Sequence, residues 1–324
     1  MLNIQIAVNI IEQEIKSLKI PDTPENLYEP IKYILSCGGK RMRPALTLIS
    51  CNIFDVDYHK ALYPALGIEL FHNFTLIHDD LMDNSSLRRN DPTVHVRWNP
   101  NTAILAGDAM YIIASKMVCK VETKLLHIVM DIFNNTALQV CEGQMMDMDF
   151  EKTNDVSVDQ YIRMIGLKTS VLLAASMKIG AVIGGADTSV AEDLYNFGYN
   201  IGLAFQLQDD LLDSFGDRNI FGKMIGNDII TNKKTYLYLR SLEIASSEDK
   251  KQLMSIFSGK ITDPEIKINQ VMSIFNRINI QQHTQDIINH YFYKALSYLD
   301  KIPIEDTKKS VLKEFTQSLK NRKK

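Results

Sequence analysis

Several things are scarce in this chain, and each absence narrows what it can be. Only four of the 324 residues are cysteine. Cys37, Cys51, Cys119 and Cys141 lie far apart with no Cys-x-x-Cys pair, which argues against a zinc ribbon and against a disulfide-stapled secreted frame; free thiols in a cytoplasmic protein are expected. Charge of one sign is not in excess either. The formal net charge is −3, so no basic face of the kind that attracts nucleic acid is present, and an anionic ligand would need a local cationic cluster. Long apolar runs are missing too. The most apolar stretch, residues 170–186, is interrupted by Lys178 and by glycines and falls short of the roughly 20 apolar residues of a spanning helix, so no transmembrane segment is predicted. The first residues carry Glu12, Glu14 and Lys16 inside an apolar pattern and show no small-residue cleavage site, unlike a secretion signal.

Strand-like alternation is also rare, and helical periodicity takes its place. In residues 61–82 and 190–212 apolar side chains recur at three- and four-residue intervals, and the chain reads as all-α. Hydrophobic residues at 45% and charged residues at 23% suffice for a large core. Breaks are expected at residues 21–24, at Gly38-Gly39, at residues 84–100 and 154–157, at Gly184-Gly185, at residues 214–227 and around Pro264. Length alone allows two domains of about 150 residues. No break resembles a long linker, however, and a single domain over residues 1–324 is the expectation. The C-terminal KEFTQSLKNRKK reads as a solvated helix end whose cations suit a helix C-terminus.

One pattern occurs twice: Asp79-Asp80-Leu81-Met82-Asp83 and Asp209-Asp210-Leu211-Leu212-Asp213, each on an apolar helical stretch. Positions four apart share a helix face, so Asp79 with Asp83, and Asp209 with Asp213, each direct two carboxylates to one point. Like charges repel at that spacing unless a cation lies between them, and hard oxygen ligands favour Mg2+ that keeps waters and shares substrate phosphates. One such cluster reads equally well as a solvated acidic helix end; two matching copies favour metal. The cationic complement is local: Gly38-Gly39-Lys40-Arg41-Met42-Arg43-Pro44, and Arg88-Arg89 just after the first aspartates. Guanidinium forks and a lysine suit phosphate oxygens, and a glycine pair lets backbone approach closely. Beside twin metal motifs, these clusters suggest a site for two diphosphates.

GGKRMRP, LIHDDLMDNSSLRRNDPTVH, GLKTS, FQLQDDLLD and GKMIGNDIITNKKT follow one another over about residues 30 to 240, and in this order they resemble the trans-isoprenyl diphosphate synthase family. The resemblance implies an isoprenoid-synthase-type helical bundle around a central cavity. It implies that isopentenyl diphosphate is joined to an allylic diphosphate, with Asp79, Asp83 and Asp209 holding three Mg2+ ions and Asp80, Asp210 and Asp213 supporting them. By the same similarity Lys40, Arg43 and Arg89 bind isopentenyl diphosphate, and Arg88, Lys168, Lys223 and Lys233 grip the allylic diphosphate. His72 also matches a homoallylic-site position, with a core histidine as the alternative, and Thr169 and Gln206 match residues beside the forming cation. The leaving diphosphate is the family's favoured proton acceptor, so no general base is named. A homodimer is the family's usual state.

Chain length in the family is set just upstream of the first aspartates, here at Phe74 and Thr75. Thr75 lies directly beneath Asp79, and Phe74 is rotated by about 140° on an ideal helix. An aromatic at the fifth position before the motif resembles short-chain enzymes, and the motif lacks the two-residue insertion of many bacterial farnesyl diphosphate synthases. Twenty carbons is the first expectation and fifteen the second, with a long chain less favoured. One departure concerns the usual Gly-Lys-x-Thr, here Asn232-Lys233-Lys234-Thr235. It leaves Lys233 and Lys234 in competition, although asparagine adopts a left-handed conformation more readily than most residues. Two other readings compete: a class I terpene cyclase, which would not need Lys40, Arg43 and Arg89, and a non-catalytic partner subunit, which would be expected to lose aspartates.

Overall fold

The computed structural model describes residues 2–153, 155–216, 226–260 and 263–322. Helices dominate in chain order: α1 (Ile4–Ser17), α2 (Glu25–Ser36), α3 (Met42–Asn52), α4 (Leu62–Met82), α5 (Val94–Arg97), α6 (Pro100–Val118), α7 (Leu126–Lys152), α8 (Val158–Ile165), α9 (Val171–Ile183), α10 (Thr188–Phe215), α11 (Asn227–Ile230), α12 (Tyr236–Ile244), α13 (Ser247–Ser255), α14 (Pro264–Arg277), α15 (Ile280–Lys301) and α16 (Asp306–Lys320). Several starts are written locally in the sequence. Asn99 accepts the Thr102 N–H with Pro100 in the first turn of α6, Ser157 and Gln160 close a reciprocal box at α8, and Asp263 accepts two N–H groups ahead of α14. The expected polar break at residues 84–100 holds more than a loop. Leu87–Arg88 (β1) and Asp91–Pro92 (β2) form a minimal antiparallel hairpin, turned by Arg89 and Asn90 at φ 54 and 70.

By its internal contacts the chain divides into two compact units. The first comprises Met1–Ala137, Leu172–Tyr195 and Ile302–Val311. In it α4 packs along α6 and against α3 and α1. Ile68, Leu70, Phe71 and Ile77 of α4 are fully buried, each stabilising the fold by about 2 kcal/mol. Gly67 permits the closest approach, because a Cβ there would collide with Val118 and the Ala114 carbonyl of α6. The second unit comprises Leu138–Val171, Asn196–Lys301 and Leu312–Lys324. There α12 packs on α8 and α15, α14 packs on α11 and α15, and α10 buries Phe197, Ile201, Leu203 and Leu207.

The expected extent of the apolar stretch at residues 170–186 needs correcting. Val158–Ile183 runs as a single helical stretch of 26 residues, because Gly166 does not break it but opens a one-turn π segment over Gly166–Ser170. With a mean hydropathy of 1.4 in its most apolar window, the stretch is long and apolar enough to cross a membrane. Yet 72% of that window is buried within the fold, as in the core helix of a globular protein.

Candidate active site

The first aspartate motif closes α4 in the first unit. Asp80 is buried at 1% exposure and accepts the Arg88 guanidinium, whose Nε lies 3.0 and 3.1 Å from its two carboxylate oxygens. Asp79 is half-buried, and Asp83, which caps the helix by donating its N–H to the Asp79 carbonyl at 2.9 Å, is exposed. The hairpin supplies Arg88 to this motif and, one residue later, turns Arg89 back onto the Gly38 carbonyl. Gly39 makes room for that side chain, since a Cβ would lie 3.1 Å from the Arg89 guanidinium, and its φ of 152 suits glycine alone.

Arg43 opens α3 and approaches His72 of α4, Nη1 to Nε2 at 3.2 Å, while its Nε is buried without a partner. Burial, followed by the charges of Arg43, Arg89, Arg88 and Arg41, holds the His72 imidazole well below its usual pKa. A neutral ring accepting from Arg43 is the consequence. Lys40 is exposed beside them. Deeper in the same unit Phe74 packs against Phe71, His78 and Tyr111 with ring centroids 4.8 to 5.6 Å apart, and Tyr111 stacks on Phe133. The Thr75 hydroxyl donates to the His72 carbonyl at 2.8 Å and is thereby turned into its own helix.

The second motif lies on α10 in the second unit. Asp210, 4% exposed, accepts from the Tyr161 hydroxyl and from Gln206 Nε2 at 3.3 Å, and Thr169 Oγ1 donates to Gln206 Oε1 at 3.3 Å. Asp213 accepts the Asp228 backbone N–H at 3.0 Å. Burial and the neighbouring Asp228 charge push Asp210 up to about 7 and Asp213 up to about 6, and burial raises Asp228 as well. Lys168 is ion-paired to Asp147 of α7 at 2.6 Å, an approach that Gly143 allows because a Cβ there would strike the Lys168 backbone. Asn232 adopts φ 58, the left-handed conformation expected of it. Lys234 Nζ is committed to the carbonyls of Phe150 and Thr153 at 2.5 and 2.6 Å, whereas Lys233 is exposed. Lys223 falls outside the described residues.

The carboxylates of the second unit offer the hard oxygen donors that a divalent cation favours. Asp210, Asp213 and Asp228 are an all-oxygen set whose mutual repulsion in a buried place is relieved by a bound positive charge. Among the described residues no three His, Cys, Asp or Glu side chains are grouped so as to hold a metal ion by themselves, so an ion here would need oxygens from water or substrate.

Four participants were not singled out from the sequence. Asp228 stood inside a recognised segment as an acid following Gly226. Asp147 shares a helix face with Gly143, a signal visible only once the partner turn is known. Tyr161 gave no signal. The C-terminal basic tail, expected to be a solvated end, corrects that reading: Arg322 pairs with Asp209 at 2.6 Å and lies over Phe205, and Gln208 donates to the Arg322 carbonyl. A tail of mixed polar residues cannot announce so distant a partner.

Known proteins resemble this chain in sequence and in fold. Residues 24–275 match the polyprenyl synthetase family. A geranylgeranyl diphosphate synthase of Methanosarcina mazei is 42% identical over 222 residues, 68% of each chain. A geranylfarnesyl diphosphate synthase of Natronomonas pharaonis is 38% identical over 71% of this chain and 73% of its own. A crystal structure of a geranylgeranyl pyrophosphate synthase superposes with a TM-score of 0.95 over the whole of both chains at 41% identity. The chain therefore belongs to the polyprenyl synthetase family of prenyltransferases.

Proposed function

We propose that the protein is a Mg2+-dependent synthase that condenses isopentenyl diphosphate with an allylic diphosphate (dimethylallyl, geranyl or farnesyl) by ionisation, condensation and proton loss. The product is a linear all-trans prenyl diphosphate of twenty carbons in preference to fifteen. The observation that carries this reading is on α4. Asp79 and Asp83 at its end, and His72 two turns earlier with Arg43 of α3 bonded to it, set a carboxylate pair about 10 Å along the helix from a guanidinium–imidazole pair. That arrangement suits two anionic head groups, one held through metal and one directly.

Three Mg2+ ions, held by Asp79, Asp83 and Asp209 with Asp80, Asp210 and Asp213 in support, would neutralise the charge that grows on the departing diphosphate. Lys168, Lys223, Lys233 and Arg88 orient the allylic diphosphate; the commitment of Lys234 to backbone carbonyls favours Lys233 for this role. Lys40, Arg43, Arg89 and His72 hold isopentenyl diphosphate, and the unbonded Arg43 Nε–H is a donor ready for it. Thr169 and Gln206, bonded to each other beside Asp210, keep polar atoms next to the reacting centre. Phe74, braced by Phe71 and Tyr111, closes the tail channel, and Thr75 adds no free polar group to it.

The geranylgeranyl name of the Methanosarcina relative favours twenty carbons, whereas the geranylfarnesyl name of the Natronomonas relative marks the longer outcome. Incubation with labelled isopentenyl diphosphate, each allylic primer in turn and Mg2+, followed by chain-length analysis, tests both points. A twenty-carbon product that lengthens in Phe74→Ala supports the reading; no incorporation of label contradicts it.

A homodimer is part of the proposal. Leu105 and Ile112, 60% and 58% exposed, lie seven residues apart on one face of α6, and Ile128 near the start of α7 is 49% exposed. Light scattering on the purified chain, at twice the monomer mass, is the check.

A further inference from the structure

Between Lys40 and Arg43 stands a third cation, Arg41, that points the other way. Its backbone is left-handed at φ 47, and its side chain is fully buried whereas Lys40 is exposed. The guanidinium donates from Nη1 to Glu69 Oε1 at 2.6 Å, from Nε to Glu12 Oε1 at 2.8 Å and from Nη2 to the Leu35 carbonyl at 2.8 Å, tying the loop to α4, α1 and α2. Glu69 is 2% exposed in the middle of α4, three residues before His72, and also accepts from Asn73 Nδ2 at 3.0 Å. A carboxylate is costly to bury there unless a cation requires it.

The surrounding charges supply that requirement. Arg41, Arg43, Arg88 and Arg89 all act on His72, so four guanidinium groups are gathered in one place. Burial works against the charge of Arg43 and of Arg89, and at Arg89 the Arg41 charge adds to it; Glu69 opposes these effects at both. Arg41 faces the same burial, and there the charge and hydrogen bond of Glu69, with the help of Glu12, outweigh it. One buried carboxylate is thus a counter-ion common to the inward arginine and to two outer ones assigned to substrate.

We propose that Glu69 and Arg41 form a buried positioning pair for the isopentenyl diphosphate site, holding Lys40, Arg43 and Arg89 together against their mutual repulsion. The inference rests on the function proposed above. Removing the Glu69 charge while keeping its shape lets the loop relax away from the spacing that a diphosphate needs, without touching the aspartate motifs.

Steady-state kinetics test this with Glu69→Gln, with Glu69→Asp, which retains the charge, and with Glu12→Gln, which loosens Arg41 from a side chain that is 31% exposed. The KM for isopentenyl diphosphate is expected to rise about tenfold in Glu69→Gln and about threefold in Glu12→Gln, with kcat and the allylic KM within about twofold of native. Glu69→Asp is expected to recover part of the loss. Calorimetric binding of isopentenyl thiolodiphosphate should give the same ranking without turnover. Unchanged kinetics, or a fall in kcat with both KM values unmoved, would overturn the pair as a positioning device. If circular dichroism shows that Glu69→Gln does not fold, Glu12→Gln decides, and an unchanged KM for isopentenyl diphosphate overturns the proposal. Failure of the functional reading looks different: the native chain then incorporates no isopentenyl diphosphate with any primer, and the pair falls with it.

Discussion

On α4 the middle aspartate of the motif, Asp80, is buried against Arg88; on α10 its counterpart, Asp210, is just as deeply buried but meets Tyr161 and Gln206, which carry no charge. The two stretches of sequence are nearly the same, Asp-Asp-Leu-x-Asp, and their electrostatics are not. In the first, an arginine balances the buried carboxylate, leaving Asp79 and Asp83 nearer solvent. In the second, the like charge of Asp228 adds to burial, and Asp210 and Asp213 are pushed up to about 7 and about 6. A repeated motif therefore does not carry its charge balance with it; that comes from residues distant in sequence, Arg88 in one case and Asp228 and Tyr161 in the other.

The largest effect is expected for Asp79→Ala, which removes an outward carboxylate and lowers kcat/KM by about a thousandfold, measured by incorporation of labelled isopentenyl diphosphate. Next come the two middle positions. Asp80→Asn strands Arg88 and is expected to lower stability by about 3 kcal/mol. Asp210→Asn removes a disfavoured charge and is expected to raise stability by about 1 kcal/mol at pH 8 in EDTA. Urea titrations of both variants decide, and an equal loss in the two would erase the distinction.

The raised carboxyls also fix the sign of a pH effect. A carboxyl whose folded-state pKa lies above the usual 3.8 takes up protons on folding, so its contribution is complete below about pH 4 and is lost as pH rises through 6 to 7. In EDTA, stability is expected to fall by on the order of 3 kcal/mol between pH 5 and 8 from Asp210 and Asp213. Added Mg2+ should raise the melting temperature more at pH 8 than at pH 5, as scanning calorimetry would show. The smallest effect concerns Arg322, which occupies Asp209. Arg322→Ala is expected to tighten Mn2+ binding about threefold, read by electron paramagnetic resonance.

Much of this was legible beforehand, for physical reasons. The periodicity of residues 61–82 and 190–212 gave α4 and α10, because apolar faces at helical spacing have few other solutions. Asn232 could be read as a left-handed residue because few others tolerate that conformation. The hairpin at Leu87–Pro92 was not legible, since two-residue strands are too short to show alternation. Nor was the end of the chain: Arg322 in a basic tail looks solvated until Asp209, more than a hundred residues earlier, is seen beside it. The Glu69 and Arg41 pair was hidden for the same reason, each residue reading as one more charge in a motif or a helix.

Whether two diphosphates react and one is released is decided by diphosphate release measured against labelled isopentenyl diphosphate incorporation. With an allylic primer and Mg2+ the expected result is one diphosphate released per isopentenyl unit incorporated, and none when isopentenyl diphosphate is withheld. Release from the allylic substrate alone, at an undiminished rate and without incorporation, would contradict the claim and identify a cyclase.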